Sequence, residues 1–250
     1  MLGDDSSTAS LHSFLANRRY AISGPGMGND CELHDEIEEG LAALVRDRAN
    51  RHGRKLLIVG WSLGGLYTRR LEKLFPAAVR SVISLGRQFK DLPKVTNAWR
   101  IYEFVRTHKV EKGRKRMRGH LEKAPPVQTI FIFSRIDWVC AWQACIERNE
   151  LHTENIEVQS SHCGFGHHPT AAYAIAGRLA QPEGQWTKFE RKGSRSRVYP
   201  DQIRPSEARL KPSCVRFAAR GPVSIYVDGR KKARRKSKLA SISELKADFS

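Results

Sequence analysis

The sequence of 250 residues lacks several features that would place it in common protein classes. No apolar run approaches the length of a membrane span. The opening residues are acidic and contain serine, so they have neither the basic start nor the apolar stretch of a signal peptide. The five cysteines are odd in number and show no scaffold spacing, which favours reduced thiols over disulfides. These absences together predict a cytoplasmic protein without a transmembrane segment.

Acidic residues are fewer than basic ones, with 26 Asp and Glu against 44 Lys and Arg, and the formal net charge is +18. After residue 184, 18 Lys and Arg stand against 6 Asp and Glu, and the basic run at residues 230–238 is the peak. Such a run binds phosphates or other anionic partners non-specifically, although a solvated, disordered tail explains it more simply. Because 40% hydrophobic content suffices for a core, we predict one domain over residues 1–184. Residues 185–250 are predicted to be a basic, partly disordered tail, with weak hairpin alternation at residues 214–217 and 223–227.

The most informative pattern that is present surrounds Ser62. An apolar run ends in Gly60-Trp61-Ser62-Leu63-Gly64, and a helix-compatible segment follows at once. A strand, a sharp turn with serine at its tip and then a helix are the layout of a nucleophile elbow. The glycines have a steric reason, because larger side chains two positions either side of the serine would collide. The alternative is a chance Gly-x-Ser-x-Gly in a loop.

A serine nucleophile needs an acid and a histidine base, which in this architecture follow later strands in that order. Residues 127–133 predict a strand, and Asp137 lies just past its end. Residues 155–159 predict a weaker strand, and His162 lies in the loop after it. Because functional groups gather at the carboxyl ends of parallel strands, Ser62, Asp137 and His162 are expected to converge. Asp137 is also a candidate helix N-cap, a role that does not exclude catalysis.

Cofactor and metal motifs are weak in comparison. The cluster of His162, Cys163, His167 and His168 matches no closed zinc pattern, so no metal site is predicted. The segment Gly24-Pro25-Gly26-Met27-Gly28 lacks the third glycine of a dinucleotide loop and is interpreted as a flexible turn lining the cleft. No organic cofactor is therefore expected.

The segment over residues 87–126 interrupts the alternation of strands and helices. Residues 96–105 are amphipathic at helical spacing, and an insertion here commonly forms a cap over the nucleophile. A core helix followed by an exposed basic helix explains the pattern equally well. With a helical cap, Trp99, Tyr102 and Phe104 are candidates to line an acyl site. The predicted substrate-binding residues are Trp61, Trp99, Tyr102 and Trp138.

Several of these segments resemble bacterial α/β-hydrolases of the esterase and triacylglycerol-lipase-like kind. The resemblance is carried by residues 59–86, Ser134-Arg135-Ile136-Asp137, Ser161-His162-Cys163-Gly164 and residues 179–186. It implies an α/β-hydrolase-like fold with a mostly parallel sheet flanked by helices. It also implies Ser62 as nucleophile, Asp137 as acid, His162 as base and the Leu63 N–H as one oxyanion donor.

The resembling proteins have two or three further strands ahead of the segment matched by residues 6–11. The loop after the third of these strands supplies the second oxyanion donor. We therefore expect an N-terminally shortened fold that misses its first strands, with a gap between the strand at residues 19–23 and the strand before Ser62. Buried unpaired backbone groups cost about 1–3 kcal/mol each, so this gap must be closed, filled or solvated.

The leading functional expectation is hydrolysis of carboxylic esters, as by an esterase or lipase, through an acyl-enzyme intermediate. A lactone, such as an acyl-homoserine lactone, would use the same side chains. The alternative from another class is an inactive hydrolase-like protein whose basic tail binds nucleic acid or anionic lipid. The sequence does not predict acyl-chain length or oligomeric state.

Overall fold

The computed structural model describes residues 8–24, 35–87, 125–147, 150–201 and 223–227. Within these ranges the helices are α1 (Ala9–Ala16), α2 (Asp35–His52), α3 (Leu63–Leu74), α4 (Pro169–Leu179) and α5 (Arg195–Val198). The strands are β1 (Ala21–Ser23), β2 (Leu56–Trp61), β3 (Val79–Leu85), β4 (Gln128–Phe133), β5 (Thr153–Glu157) and β6 (Val223–Val227). Short 3₁₀ helices cover Trp142–Ala144 and His162–Gly164.

The strands form a single sheet with the spatial order β1-β6-β2-β3-β4-β5. Strands β2, β3, β4 and β5 pair in parallel, and β6 is antiparallel to both of its neighbours, β1 and β2. The predicted fold class, a mostly parallel sheet flanked by helices, is confirmed. All six residues of β2 are buried, as expected for a parallel strand that is covered on both faces.

The two faces of the sheet are covered by different helices. Leu57, Val59 and Trp61 pack in one cluster with residues of α1 and α4. Leu56 and Ile58 pack in a second cluster with residues of α2 and α3. This division follows from the period of two in a strand, which sends alternate side chains to opposite faces.

The place between β1 and β2, where the sequence predicted a gap, is occupied by β6. Ile22 in β1 lies opposite Tyr226, and Ile58 in β2 lies opposite Ile225. The predicted gap is thus filled by a strand from the basic C-terminal region, and β1 and β2 each have a ladder partner there. The boundary after residue 184 stays a prediction, but residues beyond it belong to the sheet.

A second part of the C-terminal region also packs on the domain. Trp186, Phe189 and Tyr199 join the cluster formed by α1 and α4. The Phe189 N–H donates to Glu154 Oε2 at 2.6 Å, and the Tyr199 hydroxyl donates to the Thr170 carbonyl at 2.8 Å. Residues 186–199 therefore continue the hydrophobic core.

Two predicted segments fall almost wholly outside the described residues. Only the ends of the cap-like insertion over residues 87–126 are described, and the basic run at residues 230–238 is not. None of the described helices is both long and apolar enough to cross a membrane.

Candidate active site

Ser62 occupies the single residue between β2 and α3, in a strained backbone conformation. Its φ is 53° and its ψ is −118°, a region that residues other than glycine rarely adopt. The Ser62 N–H donates to the Leu85 carbonyl at 2.9 Å, and the Ser62 carbonyl accepts the Gly65 N–H at 3.0 Å. Ser62 is thus tied to the end of β3 on one side and to the first turn of α3 on the other.

Close backbone approaches explain the glycines around this turn. A Cβ atom on Gly60 would lie 2.5 Å from the Gly64 carbonyl oxygen and 2.6 Å from Thr68 Cγ2. A Cβ atom on Gly65 would lie 2.3 Å from Ser84 Oγ. The steric requirement inferred from the sequence is therefore present at Gly60, and the structure adds Gly65.

Asp137 and His162 are brought together from the ends of β4 and β5. His162 Nδ1 lies 2.7 Å from Asp137 Oδ2, and both side chains are 2% exposed. The other carboxylate oxygen, Oδ1, accepts the N–H groups of Val139 at 2.8 Å and Cys140 at 3.1 Å. Asp137 thus binds two backbone N–H groups and the imidazole at the same time. It is not the predicted helix N-cap, because the 3₁₀ helix of this segment begins only at Trp142 and its N-cap is Ala141.

The ends of β2 and β3 lie against this pair. The ring of Trp61, which precedes Ser62, is 6.2 Å from the His162 ring between centroids. Gly86, just after β3, has φ 51°, and a Cβ atom there would lie 2.9 Å from Asp137 Oδ2 and 2.7 Å from Phe165. The carboxylate and the imidazole therefore sit at the edge of the sheet at which β2 ends in Ser62.

Nε2 is the nitrogen of the His162 ring that does not face Asp137. His162 Nε2 is buried and has no hydrogen-bond partner in the described part of the chain, and the same holds for Trp61 Nε1. Nε2 is the atom through which a histidine base accepts a hydroxyl proton when Nδ1 faces a carboxylate. Catalytic hydrogen bonds are often long without substrate and tighten in the complex.

The electrostatics of this cluster favour a protonated imidazole. Burial lowers the pKa of His162, but the hydrogen bond to Asp137 and the contact with Cys140 raise it by more. The net result is a pKa above the ordinary value of 6.5. Contact with the Cys145 thiol lowers the pKa of Cys140; burial opposes this, and His162 lowers it further. Sequence reasoning missed Cys140, because its position three residues after Asp137 does not show that its thiol faces His162.

Of the remaining predicted site residues, the structure describes Leu63, Trp61 and Trp138. Leu63 is the first residue of α3, and the backbone N–H groups of the first turn of a helix have no hydrogen-bond acceptor within that helix. Trp61 is a core residue with 4% exposure, whereas Trp138 is 63% exposed. Trp99 and Tyr102 lie outside the described residues. The substrate contacts of these four aromatic side chains stay predictions.

The structure also contains a cavity of about 730 Å³ elsewhere. Its lining comes from α4, α5, the segments next to them and the residues that follow α1, and includes Arg18, Tyr173, Phe189 and Tyr199. It contains none of Ser62, Asp137 and His162. This cavity is therefore separate from the candidate active site.

Comparison with known proteins gives similarity in solved structures alone. No family model matches the sequence, and no curated protein matches it. The chain is similar to lipase B of Aspergillus fumigatus, with 18% identity and a TM-score of 0.45 over 65% of this chain, and it spans 43% of that lipase. A lipase-esterase related protein from Clostridium acetobutylicum has 14% identity and a TM-score of 0.43, over 70% of this chain and 87% of its own.

A third similar structure is MGS-MChE2, an alpha/beta hydrolase enzyme from the metagenome of lagoon sediments of Mar Chica, Morocco. It has 13% identity and a TM-score of 0.45, over 72% of this chain and 86% of its own. At these scores the likenesses carry no argument about activity, and the fold class follows from the sheet topology itself. The solved structures that this chain is similar to include α/β-hydrolase esterases and lipases.

Proposed function

We propose that this chain is a serine hydrolase that cleaves carboxylic esters through an acyl-enzyme intermediate. The observation that carries the proposal is the 2.7 Å contact between Asp137 Oδ2 and His162 Nδ1. This contact lies at the sheet edge where β2 ends in Ser62, which has a positive φ. A hydroxyl, an imidazole and a carboxylate at one edge are the parts that nucleophilic acyl transfer requires.

In the proposed reaction, His162 Nε2 takes the proton from Ser62 Oγ, and Oγ bonds to the acyl carbon. The carbonyl π electrons move to the oxygen, which the Leu63 N–H stabilises as an oxyanion. The C–O bond to the alcohol then breaks, and the alcohol leaves with the proton from His162. Water repeats the sequence and releases the acid, while Asp137 orients the imidazole and stabilises its charged form.

The raised pKa of His162 has a consequence for this reaction. Because a protonated imidazole cannot take the Ser62 proton, the base must first lose its own proton. Hydrogen bonding to Asp137 favours the protonated form, so ester turnover is expected to increase from neutral to alkaline pH. An acid-favouring profile would argue against His162 as the base.

The oxyanion site has one proposed donor, the Leu63 N–H at the start of α3. The loss of one donor typically lowers turnover by about 10²–10³-fold, so a second donor is important for rate. Trp61, Trp99, Tyr102 and Trp138 are proposed to contact the acyl or alcohol part of the substrate.

The test is turnover of p-nitrophenyl butyrate by the full chain and by Ser62→Ala. We expect turnover by the parent and its loss in Ser62→Ala with an unchanged circular dichroism spectrum. Ser13→Ala, at an exposed serine on α1, is the matched control and should retain the parent rate. Equal rates in the parent and Ser62→Ala would refute the assignment, and a folded parent without turnover of any ester would favour the inactive alternative.

A further inference from the structure

Cys140 contributes a thiol to the Asp137–His162 pair, and the proposed hydrolysis does not use this thiol. Its Sγ, a carboxylate oxygen of Asp137 and a ring nitrogen of His162 lie within 4.8 Å of one another. All three side chains are buried. Thiolate sulfur, imidazole nitrogen and carboxylate oxygen are the ligand atoms that zinc takes in proteins.

The geometry of the loop after β4 holds these atoms in place. The Val139 and Cys140 amides occupy Asp137 Oδ1, so that Oδ2 faces His162 Nδ1. The two amides that fix the Asp137 carboxylate are the kind of outer-shell support that metal ligands usually have.

We propose that Asp137, Cys140 and His162 bind a divalent ion of the zinc type. On binding, the Cys140 thiol releases its proton to solvent, and sulfur bonds to the metal as thiolate. The metal bonds to Nδ1 of the imidazole. In a neutral ring the Nδ1 proton moves to Nε2; in a ring that already carries both protons, the Nδ1 proton leaves for solvent. No atom changes its oxidation state. The sequence predicts no metal here, because ligands at positions 137, 140 and 162 match no closed spacing.

The site also predicts inhibition, and this consequence alone rests on the proposed function. With the metal on Nδ1, the ring keeps its proton on Nε2. Nε2 then has no lone pair to accept the Ser62 proton, and the hydrogen bond from Nδ1 to Asp137 is lost. A zinc-loaded protein is expected to turn over esters much more slowly than the metal-free protein.

The direct test uses Co²⁺ as the probe with the full, reduced, chelator-treated protein. Thiolate ligation gives Co²⁺ a ligand-to-metal absorption band in the near ultraviolet, which Zn²⁺ should remove by displacement. The band is expected in the parent and in Ser62→Ala, which tests binding without any turnover. Cys140→Val should lose the band, and Cys163→Ser, at an exposed thiol next to His162, should keep it.

A folded parent without the band, or a Cys140→Val protein with the parent band, would overturn the proposal. If Cys140→Val does not fold, Cys140→Ser takes its place, and the band is again expected to be lost because serine offers no thiolate sulfur. Zn²⁺ should lower ester turnover in the parent but not in the Cys140 variant, and a chelator should restore it. A protein that shows the band but never cleaves an ester contradicts the proposed function and leaves the metal site standing.

Discussion

The strand β6 makes the C-terminal region testable as part of the fold. Deletion of residues 223–250 removes β6, whereas deletion of residues 228–250 removes the basic run and retains β6. The two truncated chains differ by the five residues that pair with β1 and β2. Comparing them separates the contribution of the strand from that of the charged tail.

The magnitude follows from the ladder between β2 and β6. Residues Leu57 to Gly60 face residues of β6 in four register pairs. Because alternate residues of a strand direct their N–H and C=O groups to the same side, about four backbone groups of β2 lose a partner when β6 is absent. At about 1–3 kcal/mol each, the loss approaches the whole stability of a domain, which is about 5–15 kcal/mol.

The measurement is urea unfolding of both truncated chains and the full chain, followed by circular dichroism. The chain without residues 228–250 should unfold at a urea concentration close to that of the full chain. The chain without residues 223–250 should be unfolded without urea or have a much lower midpoint. Equal midpoints for the two truncated chains would refute the placement of β6 in the sheet.

Three further predictions concern single residues. Gly86→Ala should lower the free energy of unfolding by about 1–3 kcal/mol and reduce ester turnover, because φ is 51° and the added Cβ would press on Asp137 Oδ2. Gly177→Ala is the control and should not lower the free energy of unfolding, because nothing lies within 4 Å of its added Cβ. Equal urea midpoints for the two variants would contradict the predicted strain at Gly86. Asp137→Asn should lower kcat about 10⁴-fold because the imidazole loses its orienting carboxylate, and a rate within ten-fold of the parent would exclude Asp137 as the acid. Burial raises the pKa of Glu72 from 4.5 to about 7 against the hydrogen bond from Thr129, which lowers it. The folded state therefore holds the Glu72 proton more tightly than the unfolded chain, so the free energy of unfolding should fall by about 3 kcal/mol as the pH rises from 4.5 to 7. Glu72→Gln should flatten this decline, measured as the urea midpoint against pH. An unchanged slope of midpoint against pH in Glu72→Gln would contradict the raised pKa.

The parts of the site that the sequence predicts are those specified by local order along the chain. Ser62 is a candidate because glycines and an apolar run mark a strand and a tight turn within ten residues. Asp137 and His162 are candidates because each follows an apolar strand, and parallel strands end at a common edge. Their contact at 2.7 Å fits that logic.

The parts that the sequence does not predict depend on non-local pairing. Residues 223–227 show weak period-two alternation, but such a pattern does not say which strands will be their neighbours. The insertion of β6 between β1 and β2 therefore emerges only from the structure. The same holds for Cys140, whose thiol meets His162 across 22 residues of chain.

The most direct test of the proposed chemistry is labelling of the full chain with a fluorophosphonate, followed by peptide mass spectrometry. We expect one adduct, on the peptide that contains Ser62, and its loss in Ser62→Ala and His162→Ala. An adduct at another serine, or no adduct on a folded protein, would contradict it.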